Sequence, residues 1–126
     1  MSKFKFDPSS PAIILDTILE GKIILHARLV LDTGASLIVL PWWIATGLGL
    51  NIDPTHLIQT TTVSSVESSP LTVIPKVTVL GKIAKNVSCL IRDLPPESGV
   101  DGLLGLSFLR NFHLVLAFKK GLLELK

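Results

Sequence analysis

Charge is scarce in this 126-residue chain: Asp, Glu, Lys and Arg together make up 17%. Twelve basic residues nearly balance ten acidic ones, for a formal charge of +2, and the densest basic spot is the pair Lys119-Lys120 at an expected turn. No concentrated basic face results, so nucleic acid is not an expected partner. Cysteine is almost absent. The lone Cys89 excludes an intramolecular disulfide and fits a reducing compartment, so a cytoplasmic location is expected. It lies in the apolar run 87–91, the place of a small core residue rather than of a reactive thiol.

Long uninterrupted hydrophobic stretches are missing too. The N-terminus, MSKFKFDPSSP, lacks the continuous apolar segment of a secretory signal. The region 29–50 has a membrane-spanning length, but Asp32, Pro41 and the glycines at 34, 47 and 49 break it. A central Asp is expensive in lipid, so the region reads as core and no membrane partner is expected. His26, His56 and His113 share no metal-ligand spacing, so neither a metal nor another cofactor is expected. No Gly-x-Ser-x-Gly elbow is present, which leaves serine catalysis without support. Between residues 50 and 80 there is no glycine at all.

What the chain does have is apolar mass. Hydrophobic residues make up 48%, with a mean hydropathy of +0.57. This length and composition suit one folded domain and exclude disorder. The apolar excess is high for a small monomer, and it predicts surface buried against a second copy of the chain.

Residues 1–11 read as an N-terminal arm and 12–126 as a single domain. Segments 13–19 and 23–31 form an expected β-hairpin around Glu20-Gly21-Lys22. A strand over 37–40 ends at Pro41, which can open a short helix over 42–46. Residues 59–71, QTTTVSSVESSPL, suggest two strand arms with an exposed tip at 64–69. A hairpin follows over 72–80 and 84–92, then a loop over 93–101. One or two helical turns over 106–112 and a closing hairpin, 114–118 with 122–125, complete the chain. Many short strands with one late helix predict an all-β barrel or sandwich.

Within this pattern the run LVLDTGASLIVLP stands out. It sets one carboxylate, Asp32, between two apolar strands, and burying an ionised carboxylate is costly unless the group is stabilised or functional. As plain structure, Asp-Thr-Gly is a turn in which Asp accepts backbone N–H bonds and Gly34 supplies an unusual φ. The flanking apolar strands point to a buried turn instead, with the Thr33 and Ser36 hydroxyls placed to orient the carboxylate. A second segment, DGLLGLSFL, repeats the theme: apolar Leu103-Leu104, then Gly105, then a helical turn.

DTGAS after an apolar strand, with DGLLGLSFL about seventy residues later, resembles the retropepsin-like aspartic proteases, cellular or prokaryotic rather than viral. The resemblance spans roughly residues 12–126. It implies a retropepsin-like acid-protease barrel with one short helix near the C-terminus, acting as an aspartic endopeptidase on a peptide or protein substrate. Asp32 would be the catalytic acid/base. Thr33, Gly34, Ala35 and Ser36 would support the active-site loop, Thr33 by bonding across a two-fold axis. Leu103, Leu104 and Gly105 would form the second loop beneath it, and Ser64, Ser65, Val66, Glu67, Ser68 and Ser69 the tip of a flap over the cleft.

The chemistry needs two carboxylates sharing a proton, and the chain has one Asp-Thr-Gly. Asp16-Thr17-Ile18 is a near miss, with Ile where close approach demands glycine. The second Asp32 must come from another copy, so a homodimer is expected. Two departures stand beside the likeness. The flap region lacks glycine, and Ser36 and Leu106 occupy the positions where viral members carry an Asp and an Arg. The alternative is a catalytically silent, dimerising peptide-binding module of the same fold; a third reading is a monomeric β-domain whose Asp-Thr-Gly is only a turn. Of the remaining residues, Trp42-Trp43 are expected in core or interface packing and Asp101 in the turn into Leu103.

Overall fold

The computed structural model describes residues 2–61 and 64–126. The chain opens with β1 (Lys3–Lys5), β2 (Ile14–Glu20), β3 (Ile24–Leu31), β4 (Ile38–Leu40) and helix α1 (Trp42–Gly47). Next come β5 (Leu57–Thr61), the long β6 (Val66–Val79) and β7 (Lys82–Ile91). A 3-10 turn at Pro96–Ser98 leads to β8 (Gly102–Leu104), helix α2 (Leu106–Leu109), β9 (Leu114–Ala117) and β10 (Leu122–Leu125).

Six strands close on themselves in the order β2-β3-β8-β4-β7-β6, because β6 also pairs with β2. Closure removes the open edges that would otherwise invite aggregation. β5 lies outside this ring, hydrogen-bonded to the first third of β6 from Leu57↔Pro70 to Thr61↔Val66. The fold is therefore an all-β barrel, as expected, with one helix more than expected: α1 joins α2, opening directly after Pro41 as the sequence allowed.

Period-2 patterning accounts for the ring. On β2, Leu15, Thr17 and Leu19 are buried while Asp16 points out, opposite Arg28 in the register. That disposes of the near-miss Asp16-Thr17-Ile18, whose carboxylate faces away from the core. Inside, Leu15, Leu29, Ile38, Ile74, Leu104 and Phe108 are fully buried, and α2 closes one end as Phe108 packs on Phe112 at 5.0 Å between ring centres. Cys89 is buried among them, as expected of a core residue.

β6 runs unbroken where the sequence suggested two strands meeting near 71–72. Pro75 does interrupt its ladder locally: the register passes from Ile74↔Val87 to Lys76↔Lys85, and the facing Asn86 takes a left-handed φ of 54°. At the end of β6, Leu80 and Gly81 have φ of 50° and 76°, the two-residue hairpin turn that matches strand twist. Leu80 adopts this unfavourable conformation while its side chain packs on the core.

The N-terminal arm is tied down. β1 pairs with β10, which pairs with β9, giving a three-stranded sheet beside the barrel. Trp42 and Trp43 depart from core packing, being 42% and 64% exposed, because α1 is a six-residue helix that turns only Ile44 and Ala45 inward. No helix among the described residues is long and apolar enough to cross a membrane.

Candidate active site

β3 ends at Leu31, and the next four residues form a loop held from below at several points. The Asp32 N–H donates to the Leu104 carbonyl at 3.0 Å, and the Leu106 N–H donates to the Ala35 carbonyl at 2.8 Å. Farther along, the Ile38 N–H donates to Ser107 Oγ at 2.9 Å. Leu103, Leu104 and Gly105 therefore lie beneath the Asp32 loop as expected, joined by the parallel pairing of β3 with β8. Gly105 is dictated by contact: a Cβ there would sit 2.3 Å from the Leu37 carbonyl oxygen and 2.6 Å from that of Ala35.

Ser107 is a supporting residue that the sequence did not single out. Its signal was the one hydroxyl in the otherwise apolar helix Leu106–Leu109. It satisfies a backbone donor on the rigid exit from the loop.

The loop itself differs from expectation in two respects. Asp32 is half-buried, and Thr33, Gly34 and Ser36 are exposed, so the turn is open in a single chain rather than enclosed. The carboxylate is oriented by backbone: Oδ1 accepts the Gly34 N–H at 2.9 Å, and neither the Thr33 nor the Ser36 hydroxyl bonds to it within one chain. Gly34 is not among the residues with positive φ; a Cβ there would instead crowd Asp32 Oδ1 at 3.2 Å.

Above the loop lies a cleft of about 590 Å³. It is lined by Asp32 and Ser36 of the loop, Val39 and Leu103 of β4 and β8, and Ile58 and Thr60 of β5. Among the described residues lining it, Asp32 is the only carboxylate. The β5–β6 hairpin thus borders the cleft that Asp32 lines, and its tip is shorter than the 64–69 expected for a flap. Val66, Glu67, Ser68 and Ser69 already belong to β6, with Ser69 buried, because the ladder pairs Thr61 with Val66. Ser64 and Ser65 remain in the turn, next to residues 62 and 63, which lie outside the described residues.

A second hollow, of about 610 Å³, lies between Trp42, Trp43 and the Pro95-Pro96 loop. Its acids are structural. Asp93 Oδ1 accepts the Trp42 N–H at 3.0 Å at the start of α1, and Asp101 Oδ2 accepts the Arg28 N–H at 2.8 Å, fastening the loop before β8 to β3. Asp101 thus serves the turn, as expected. No His/Cys/Asp/Glu group suited to a metal occurs among the described residues. Burial pushes the Cys89 thiol well above its usual range, so it is protonated and unreactive in the fold.

A closed six-stranded barrel with a carboxylate-bearing loop seated on a glycine-bearing one defines the retropepsin-like class. The structure is similar to that of a retropepsin-like aspartic protease from Rickettsia conorii, with a TM-score of 0.70 and 20% identity over 98% of both chains. The aspartyl protease family profile matches residues 16–108, which include both loops, and the chain belongs to that family. No curated protein matches the sequence.

Proposed function

We propose that the chain is a homodimeric aspartic endopeptidase in which Asp32 of each of two copies forms the catalytic pair. The observation that carries this reading is the solitary Asp32, offered on an exposed, rigidly supported loop in a cleft with no second carboxylate among the described residues that line it. Proton sharing needs two such groups a few Å apart, so a second copy must supply the other. Further support comes from the β1–β10–β9 sheet, whose outer strands β1 and β9 each have a hydrogen-bonded neighbour on one side only among the described residues. Thr33 borders a hollow shared with Leu116 and Phe118 of that same end of the molecule.

In this reading a water sits between the two carboxylates, one ionised and one protonated. The ionised group takes a proton as the water oxygen bonds to the scissile carbonyl carbon, and the protonated group donates to the carbonyl oxygen, giving a tetrahedral diol. Proton transfer to the amide nitrogen then breaks the C–N bond and releases acid and amine. The backbone bond from Gly34 holds Asp32 Oδ1, leaving its other oxygen for the water. An extended substrate would lie under the β5–β6 hairpin and pair with it as an added strand.

The test is cleavage of a peptide library by wild type and by Asp32→Asn. The account expects loss of about 10²–10⁴-fold in the variant with binding retained. Equal cleavage by the variant would remove Asp32 from the chemistry, whereas peptide binding without cleavage by either protein would favour the silent binding module.

A further inference from the structure

Arg92 directly follows β7 as a single charge after the apolar residues Val87, Cys89, Leu90 and Ile91, and the peptidase reading gives it no role. Its backbone is fixed. The Arg92 N–H donates to the Leu40 carbonyl at 2.9 Å, and the adjoining Asp93 carboxylate accepts the Trp42 N–H. Its side chain reaches the β5–β6 hairpin. Nε donates to Glu67 Oε2 at 3.1 Å, Nη2 donates to Ser69 Oγ at 3.1 Å, and Nη2 also donates to Thr60 Oγ1.

These partners sit on both arms of the hairpin. Thr60 and Glu67 face each other across the β5–β6 ladder, one pair short of the last, Thr61↔Val66, while the ladder begins at Leu57↔Pro70. Arg92 therefore spans the hairpin, holding Thr60 and Glu67 one pair from its tip and Ser69 one pair from its base. The planar, multi-donor guanidinium suits this task as a point charge would not. Arg92 also lines the cleft that Asp32 and Thr60 line, so its contacts to the hairpin border the space a peptide would occupy.

We propose that Arg92 is a positioning residue that latches the β5–β6 hairpin closed over the cleft, and that opening consists of breaking its contacts to Thr60, Glu67 and Ser69. The inference rests on reading this hairpin as the flap of a peptidase. Residues 50–80 contain no glycine, so internal flexing of the hairpin is restricted and motion as a unit against a releasable anchor takes its place. The Glu67 arm of the latch is half-exposed and therefore sensitive to salt; the Ser69 arm is buried and is not.

Hydrogen exchange on the full chain without substrate tests this. Relative to wild type, Arg92→Met should speed exchange of the amides in 57–61 and 66–71 by about tenfold, with the β2–β3 hairpin unchanged. Arg92→Lys should recover part of the protection. Raising salt from about 0.02 to about 0.5 M should speed hairpin exchange in wild type but not in Glu67→Gln. Unchanged hairpin protection in Arg92→Met would overturn the latch. So would an equal loss of protection in β2–β3, which would make Arg92 a general stabiliser of the fold. Because no substrate is present, absence of peptide cleavage would remove the peptidase reading while leaving this result to stand or fall by itself.

Discussion

At the scale of single residues, the sites that matter are those where backbone leaves no freedom. Gly105 is the clearest. Its would-be Cβ overlaps two carbonyl oxygens of the Asp32 loop, so Gly105→Ala should cost about 1–3 kcal/mol, read as a lower urea midpoint, and should displace Asp32 enough to depress any peptidase activity. Cys89 gives a pH signature. Its thiol titrates higher in the folded chain than its ordinary 9.0, so the folded state holds the proton that the unfolded state releases. Stability contributed by that group is complete below about pH 9 and falls as pH rises past it. Urea midpoints at pH 7 and pH 10 should show a smaller alkaline loss in Cys89→Ala than in wild type. Asp32 itself was legible from its tripeptide, because the chemistry constrains residue type and spacing together. Its surroundings were not, since an apolar flank in sequence does not reveal that a loop tip rises out of the core it springs from. The bond that orients it comes from the Gly34 backbone, which side-chain identities do not advertise.

At the scale of elements, most strands could be read from alternation and turn residues, as the β2–β3 and β9–β10 hairpins demonstrate. Legibility failed where pairing partners are distant in sequence. That β1 lies against β10 depends on Phe4 facing Leu123, a relation between the two chain ends that local pattern cannot encode. The flap tip was drawn too long because Val66-Glu67-Ser68-Ser69 is polar enough to look like a loop, while cross-strand bonding with 58–61 makes it strand. The supporting contact from α2 to β4 went unread for a similar reason, being a side-chain bond between positions 69 residues apart. Ser107→Ala removes that acceptor and leaves the Ile38 N–H without its partner, at a cost of about 1–3 kcal/mol measurable by denaturant titration. Ser107→Thr, which keeps the hydroxyl, should recover part of this.

At the scale of the whole molecule, the proposed catalytic pair draws one Asp32 from each of two chains. The barrel is closed and carries its own core, so folding does not by itself demand a partner; the proposed two-carboxylate mechanism does. Specific activity should therefore rise with protein concentration through the range in which sedimentation shows dimer forming. The most direct test mixes wild type and Asp32→Asn in urea, refolds them together at fixed total concentration, and follows peptide cleavage against the wild-type fraction. If each site needs two Asp32 carboxylates, activity falls as the square of that fraction, to about one quarter in an equal mixture. A linear fall, to about one half, would mean that each chain carries a complete site and would contradict the composite active site.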